Sequence, residues 1–194
     1  MTAEPGSGLP AAFYDRPVLE VARDLIGCTL RLGDTSGTIA ETEAYHASEP
    51  ACHAFIGRTA RTETLFAVPG TAYVYRSYGI HALVNAVCEP EGVAAAVLIR
   101  ALIPGQGIEL MTVRRRGRSR RELTNGPGKL TEALGIGLSH NGSSLARGPV
   151  LISARTGEPP PIVFGTRVGI TKATELPWRF AIAGCADVSR PRPH

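Results

Sequence analysis

The sequence predicts a single α+β domain spanning 1–194, and two observations carry that prediction. Strand-like runs alternate with helical stretches at irregular intervals, and no βαβ spacing repeats, which disfavours a doubly wound sheet. The chain has 194 residues, of which 43% are hydrophobic, so it can bury one ordinary core but is short for two domains. No internal repeat or low-complexity linker divides it.

The N-terminal part predicts one helix and two strands. Pro17 is typical of a helix start, and the apolar stripe over 18–25 stops at Gly27. Alternating residues then predict strands over 28–32 and 38–45, because a period of two is the signature of a half-buried strand.

The middle of the chain predicts a long loop, a hairpin and a central strand. Residues 46–69 are small and polar without periodicity, which is typical of a surface loop. The runs 72–78 and 81–88 flank a Tyr78-Gly79 turn, and the apolar run 92–100 fits the centre of a sheet.

The remaining predicted elements are shorter. We expect one helix over 107–113 and another directly after the segment 125–130. Strands are expected at 167–171 and 178–183.

The predicted strand 38–45 carries acids where a packed sheet would carry apolar residues. Alternation places Ile39, Glu41, Glu43 and Tyr45 on one face. A wet edge strand would explain two acids there. A strand that lines a pocket would explain them as well, since a carboxylate among apolar and aromatic groups can hold and deprotonate a water molecule.

Three of the five tyrosines fall within six positions of the predicted hairpin. Tyr73 and Tyr75 share a face by alternation, and Tyr78 lies at the tip. Exposed aromatic residues at a tip suit stacking on bases or wedging between them, whereas the alternative is an ordinary strand core with Tyr78 as a turn residue. Asn85, within an apolar run, predicts a buried amide that needs partners.

Positive charge is concentrated in one segment. The chain has 21 basic and 17 acidic residues, a net charge of +4, yet only Lys129 and Lys172 are lysines. Six arginines fall within 114–121, and removing them leaves 15 basic against 17 acidic residues. Such a block suggests phosphate contact, with a solvated helix end as the alternative. The segment 125–129 can cradle an anion with backbone amides, or it is ordinary Pro/Gly punctuation.

Several classes of protein are excluded or disfavoured. The four cysteines form no CxxC pair, so neither a zinc ribbon nor an iron–sulfur cluster is expected, and the zinc-deaminase signature is missing. The sequence contains no run of about 18 apolar residues, so no membrane span is predicted. Residues 1–10 lack a secretory signal. We therefore expect a cytoplasmic protein with no metal and no cofactor.

Taken in order, these motifs resemble the alkyladenine (3-methyladenine) DNA glycosylases of the mammalian type. The likeness runs from about 13 to about 189, and its motifs are specific together although each alone is weak. They are 41–45, His53, 69–75 with 78–79, Asn85, 97–102, 125–130, 167–170 and 178–180.

The resemblance implies a monofunctional base-excision enzyme that acts as a monomer on double-stranded DNA. Such an enzyme flips an alkylated or deaminated purine out of the duplex and hydrolyses its N-glycosidic bond, leaving an abasic site. Glu43 matches the general base that activates water, and Arg100 and the main-chain carbonyl of Val168 match groups that hold this water. The family fold is a curved antiparallel sheet flanked by helices, with a protruding hairpin.

The resemblance also assigns the base pocket and the DNA contacts. Tyr45, His53 and Tyr75 match the groups that sandwich the flipped base, and Asn85 matches the residue that clashes with the 2-amino group of guanine. Tyr78 matches the side chain inserted into the minor groove. The predicted contacts to the DNA backbone are Gly126, Gly128 and Lys129 of the matched segment 125–130 and, from their charge and position, Arg76, Arg114 and Arg115.

Two departures from the family pattern and two alternatives accompany this assignment. Residues 46–50 replace a Leu-Gly-Pro-Glu-Asp-like stretch beside the base, and Arg76-Ser77 replaces an apolar pair.

Scarce lysine favours simple hydrolysis over a lyase, which needs an amine nucleophile. A catalytically silent nucleic-acid-binding domain is one alternative, but Glu43 together with Arg100 argues against it. A helix-hairpin-helix glycosylase, suggested by 126–129, is the other.

Overall fold

The computed structural model describes residues 7–193, and its centre is an antiparallel sheet that curls into a half-barrel. The strands are β1 (Thr29–Leu32), β2 (Thr35–His46), β3 (Ala72–Ser77), β4 (His81–Val87), β5 (Ala95–Pro104), β6 (Val150–Ser153), β7 (Ile162–Gly165) and β8 (Arg179–Ile182). Six of them follow the order β3-β4-β5-β2-β1-β6, while β8 pairs with both β2 and β7. The predicted α+β class is confirmed, whereas the predicted domain boundaries stay a prediction.

Short helices surround this sheet. The α-helices are α1 (Ala11–Tyr14), α2 (Val18–Asp24), α3 (Ile108–Arg114) and α4 (Pro127–Leu134). Single 3-10 turns lie at His53–Ile56, Glu63–Phe66, Arg120–Glu122 and Leu138–His140. None of the helices within 7–193 is long and apolar enough to cross a membrane. Residues 1–6, within the segment 1–10 that is predicted to lack a secretory signal, lie outside the described residues.

The main core lies between the helices and one face of the sheet. The apolar stripe of α2 is buried as predicted, and it packs with Leu130 and Leu134 of α4 against strand residues such as Val97 and Ile99. Removing this much apolar surface from water is the dominant favourable contribution to folding. The helices thereby hold one face of the sheet and leave the other for a second, smaller cluster.

The loop predicted over 46–69 covers that other face instead of lying only at the surface. Its residues Cys52, Ala54 and Leu65 are buried against Tyr73 and Ala96 of the sheet. The loop therefore has a packed inner side, which a search for periodicity does not detect because the contacts are made by single 3-10 turns.

The strand pairing places β2 at the middle of the sheet. Along β2, residues 37–46 pair with β5, and the other edge pairs first with β1 and then, at 41–43, with β8. The wet edge-strand explanation for Glu41 and Glu43 is therefore wrong, since both carboxylates are fully buried between paired neighbours.

A β-bulge corrects the predicted faces of β2. The pairing with β5 shifts around Ala40 and again around Arg100, each of which has no opposite residue in the register. Ile39 consequently joins the main core with Ala44, and Glu41 does not share its face as strict alternation predicted. An extra residue in a strand re-aims the side chains that follow it.

The predicted hairpin is confirmed, two other predictions are corrected, and one strand was not predicted. Strands β3 and β4 pair along their whole lengths, from Ala72 opposite Ala86 to Ser77 opposite His81, around a tip that begins at Tyr78. The predicted strand 167–171 is irregular, because Gly169 adopts φ +78°, a left-handed conformation that strands do not use. The strand in this part of the chain is β7, which ends at Gly165. Strand β6 was not predicted. The glycine segment does not precede α4, since Pro127 is the first helical residue and the helix includes Gly128.

Candidate active site

A cleft of about 650 Å³ opens between the hairpin, the first turn of α4 and the segment 168–170. Most of the residues that the sequence singled out line it. These are Tyr45, His53, Tyr75, Tyr78, Asn85, Arg100, Arg115, Gly126, Gly128, Lys129 and Val168. Concave, largely apolar pockets with a few polar groups are the usual form of a ligand site.

Glu43 is fully buried and does not itself line this cleft, but it is hydrogen-bonded to three residues that do. Its Oε1 accepts a hydrogen bond from the Val168 N–H at 2.8 Å. Its Oε2 accepts hydrogen bonds from the Tyr45 hydroxyl at 2.8 Å and from Arg100 Nη1 at 3.1 Å. A carboxylate offers about four acceptor positions, so one remains for a further donor.

Burial and hydrogen bonding act on the Glu43 carboxyl in opposite directions. Burial raises its pKa, since removal from water disfavours the charged form. The Arg100 guanidinium, the Val168 N–H and the Tyr45 hydroxyl oppose this effect, yet the pKa stays above the ordinary glutamate value. A carboxylate whose basicity is raised in this way is a better proton acceptor near neutral pH.

Arg100 is fixed by a second buried carboxylate. Arg100 Nε donates to Glu41 Oε1 at 2.9 Å, and the same oxygen accepts from Arg179 Nε at 2.7 Å. The main-chain N–H and the hydroxyl of Ser189 donate to the two oxygens of Glu41 at 2.6 and 2.8 Å. With both ends of its guanidinium occupied, Arg100 presents Nη1 to Glu43 in one orientation.

Aromatic rings form one wall of the cleft. Tyr73 and Tyr75 share a face as predicted and stack with ring centroids 5.2 Å apart and an interplanar angle of 23°. The His53 ring meets Tyr75 edge-on at 4.6 Å. Burial, with the nearby positive charge of Arg61, lowers the pKa of His53, so the neutral imidazole is favoured.

Asn85 is the buried amide that the sequence predicted. It exposes 5% of its surface, and its Nδ2 donates to the Tyr73 carbonyl at 3.0 Å. This bond fixes the orientation of the amide at the cleft surface.

The hairpin tip projects an aromatic side chain into solvent. Tyr78 is 86% exposed and holds φ +49°, a left-handed backbone conformation that few non-glycine residues adopt. Ile80 beside it is 76% exposed. Large apolar side chains exposed together mark a contact surface. Arg76 is also exposed, on the strand that leads to the tip.

The arginine block divides into two groups. Arg114 Nη1 donates to the Ala133 carbonyl at 3.0 Å, Arg115 pairs with Glu132, and Arg120 Nη2 donates to the Pro104 carbonyl at 3.0 Å. These three guanidiniums contact other parts of the same chain.

The outer group of the block points into solvent. It comprises Arg116, Arg118 and Arg121, which are exposed. Arg116 and Arg118 line a second groove of about 690 Å³ that also contains Ile80 and His81.

The segment 125–129 places a charge at the rim of the cleft and packs against the hairpin. Lys129 is exposed at this rim, and its Nζ donates a hydrogen bond to Asn125 Oδ1 at 2.8 Å. A Cβ on Gly128 would lie 2.8 Å from the His81 Cβ, so this glycine allows α4 to approach the hairpin closely. Packing therefore accounts for Gly128 apart from any contact with an anion.

The residues that support the site from behind were not predicted from the sequence. Arg179 and Ser189 contact Glu41 across separations of 138 and 148 residues, and Arg167 binds Glu49 across 118. One available signal was an arginine inside the predicted apolar strand 178–183. Such a residue has to find an acid when it is buried.

Replacement of Glu41 by glutamine tests the buried network. The Glu41→Gln variant leaves two buried arginines with one counter-charge fewer, so we expect unfolding by urea to require roughly 3–5 kcal/mol less. Glu109→Gln, a change at the exposed start of α3, is the control and should shift stability by less than about 0.5 kcal/mol. Equal stability of the Glu41 variant and the wild type would contradict the role of the network.

Comparison with known proteins identifies the family of the chain. The model of a family described as methylpurine-DNA glycosylase matches residues 12–186. A protein of Bradyrhizobium diazoefficiens is 53% identical, over 97% of this chain and 94% of its own length. Proteins of Rubrobacter xylanophilus and Methanoculleus marisnigri are 53% and 48% identical, over 83% and 94% of this chain and 86% and 98% of their own lengths. All three are named "Putative 3-methyladenine DNA glycosylase". The chain belongs to the methylpurine-DNA glycosylase family.

Proposed function

We propose that the cleft receives one damaged purine flipped out of duplex DNA and that Glu43 activates the water that releases it. Family membership makes the chain a DNA glycosylase, a hydrolase of N-glycosyl bonds in base excision repair. The observation that carries the proposal is a buried carboxylate with one free acceptor position next to an aromatic cleft.

The proposed chemistry is the transfer of one proton and the breaking of one bond. A water molecule donates a hydrogen bond to the remaining acceptor position of Glu43 and is held by Arg100 and the carbonyl of Val168. As the purine leaves with the bonding electrons, the sugar gains oxocarbenium character, which the nearby carboxylate stabilises. The water oxygen then bonds to the sugar carbon, and Glu43 takes the proton.

The proposed base site is the aromatic wall. Tyr45, Tyr75 and His53 would contact the purine, since electron-poor alkylated bases stack well on aromatic faces. Asn85 would exclude undamaged guanine through its fixed amide. Tyr78 would enter the gap left in the duplex and offset the few kcal/mol that unstacking costs.

The proposed phosphate surface uses other arginines of the block 114–121 than the two that were predicted from the sequence. Arg116, Arg118 and Arg121 have exposed guanidiniums, and two of them line the groove beside the hairpin tip. Lys129 and Arg76 extend this surface around the cleft. Contacts from the main chain at Gly126 and Gly128 and from Arg114 and Arg115 stay predictions. We also infer that the enzyme acts as a monomer in the cytoplasm, on chromosomal DNA.

The Glu43→Gln variant tests the catalytic assignment. Glutamine cannot accept the proton, so release of a damaged purine from a single-lesion duplex should fall by roughly 10² to 10⁴. Lesion affinity in a gel-shift assay should persist, and Glu109→Gln should release the base at the wild-type rate. Release at the wild-type rate by the Glu43 variant would show that another residue is the general base. Absence of release by the wild type, with binding retained, would favour the silent binding domain.

The pH dependence tests the link between Tyr45 and Glu43. Glu43 acts in its deprotonated form, so the single-turnover rate should fall as the pH drops through its raised pKa. Tyr45→Phe removes a hydrogen bond to the carboxylate, raises that pKa further and should move the acid limb upward by about one pH unit. Tyr73→Phe is the matched control, since its hydroxyl contacts His53 and the Arg61 carbonyl instead. Identical limbs for Tyr45→Phe and wild type would refute the link.

Salt dependence tests the phosphate surface. The triple variant Arg116→Ala/Arg118→Ala/Arg121→Ala should reduce the slope of log Kobs against log salt concentration by about 0.9 for each DNA phosphate that these arginines neutralise. Its release rate at saturating enzyme should stay unchanged. Arg147→Ala/Arg190→Ala removes exposed charges that line neither groove and serves as the control. A slope equal to that of the wild type would exclude these three arginines from the interface.

A further inference from the structure

An ion pair that does not line the cleft lies behind one of its aromatic residues. The Arg167 side chain is fully buried, and that of Glu49 is 6% exposed. Arg167 Nη1 contacts Glu49 Oε1 at 2.6 Å and Nη2 contacts Oε2 at 3.0 Å, which makes a bidentate pair. Nη1 also donates to the Ala44 carbonyl at 3.0 Å. Such forked pairs fix both position and orientation.

The guanidinium of this pair lies against two aromatic rings. Its central carbon is 4.7 Å from the ring centroid of Tyr45 and 5.3 Å from that of Trp178. Tyr45 lines the cleft, whereas Arg167 and Glu49 do not. Because the guanidinium lies over the Tyr45 ring and outside the cleft, a base in the cleft would meet this ring from the other side.

The position of this charge affects which bases can stack on Tyr45. A cation on one face of the ring repels a second cation placed on the other face, while a neutral base is affected little. In this protein the Glu49 carboxylate cancels the Arg167 charge at close range.

The same pair also anchors the chain beside Glu43. Arg167 directly precedes Val168, whose N–H binds Glu43 at 2.8 Å. Loss of this anchoring would slow release of every purine by the same factor. An effect of charge behind Tyr45, in contrast, would separate cationic from neutral purines, which makes the two effects distinguishable.

We propose that Glu49 and Arg167 are a charge-balanced positioning pair behind Tyr45, and that their balance sets the preference of the cleft between cationic and neutral damaged purines. The inference rests on the proposed function, since it assumes that a purine stacks on Tyr45.

Four proteins test the proposal. They are the wild type, Glu49→Gln, Arg167→Met and the double variant, in which the charge behind Tyr45 is balanced, positive, negative and balanced again. Single-turnover release of 3-methyladenine, which is cationic while attached to the sugar and has no 2-amino group, and of hypoxanthine, which is neutral, is measured for each protein. For a purine that the wild type does not release, lesion affinity in the Glu43→Gln background is measured instead.

The readout is the release rate of the cationic purine divided by that of the neutral purine. It should fall by on the order of tenfold in Glu49→Gln, rise in Arg167→Met and return close to the wild-type value in the double variant. Urea unfolding checks that each variant is folded. If Glu49→Gln does not fold, the comparison of Arg167→Met with the double variant measures the same charge effect.

Two outcomes would overturn the proposal in different ways. An equal ratio in all folded variants, with both rates lowered together, would show that the pair has only an anchoring role. If the wild type released no purine and bound no lesion, the proposed function itself would fail, and this inference would fail with it.

Discussion

The bonds from Arg100 to Glu41 and Glu43 lie at the centre of the sheet, and the rest of the site depends on them. Three charged groups buried this deeply would destabilise the fold unless each found partners, because a desolvated charge without a partner costs several kcal/mol. Glu41 is therefore shared between two arginines and Ser189, and Glu43 receives three donors. Each added partner also reduces the freedom of the carboxylate assigned to the chemistry.

The two bulges make this cluster possible within a regular sheet. Ile39 and Ala44 both face the main core although they are five residues apart, and so do Ile99 and Leu102, three residues apart. Strict alternation forbids both pairs, so each strand shifts phase once between them. The shift leaves Arg100 without an opposite residue in β2 and sends its side chain away from the helices. The apolar core and the polar site thus occupy opposite faces of the same strands.

Local patterns in the sequence predicted the elements better than the contacts between them. The stripe of α2, the hairpin and its exposed tip, and the shared face of Tyr73 and Tyr75 were predictable because alternation and turn residues act over a few positions. The bulge at Ala40 was not, since its cause is the pairing of β2 with a strand about sixty residues away. The buried partners Arg179 and Arg167 were missed for the same reason.

Most of the residues that line the cleft belong to motifs that are identifiable in the sequence. Glu43, Arg100 and the tyrosines were assigned through resemblance, and the fold brings them to one place. The arginine block could not be interpreted from sequence, because spacing alone does not separate Arg115, paired with Glu132, from exposed Arg118. The distinction depends on where α3 meets α4, a tertiary contact.

The most direct test of the central claim is a crystal structure with a duplex that carries a pyrrolidine abasic nucleotide, a cationic mimic of the sugar as the base leaves. We predict the pyrrolidine ring at the inner end of the cleft, with a water molecule within about 2.6–3.2 Å of both Glu43 and Arg100. A duplex bound elsewhere, or a pyrrolidine in the cleft with no water on Glu43, would contradict the account.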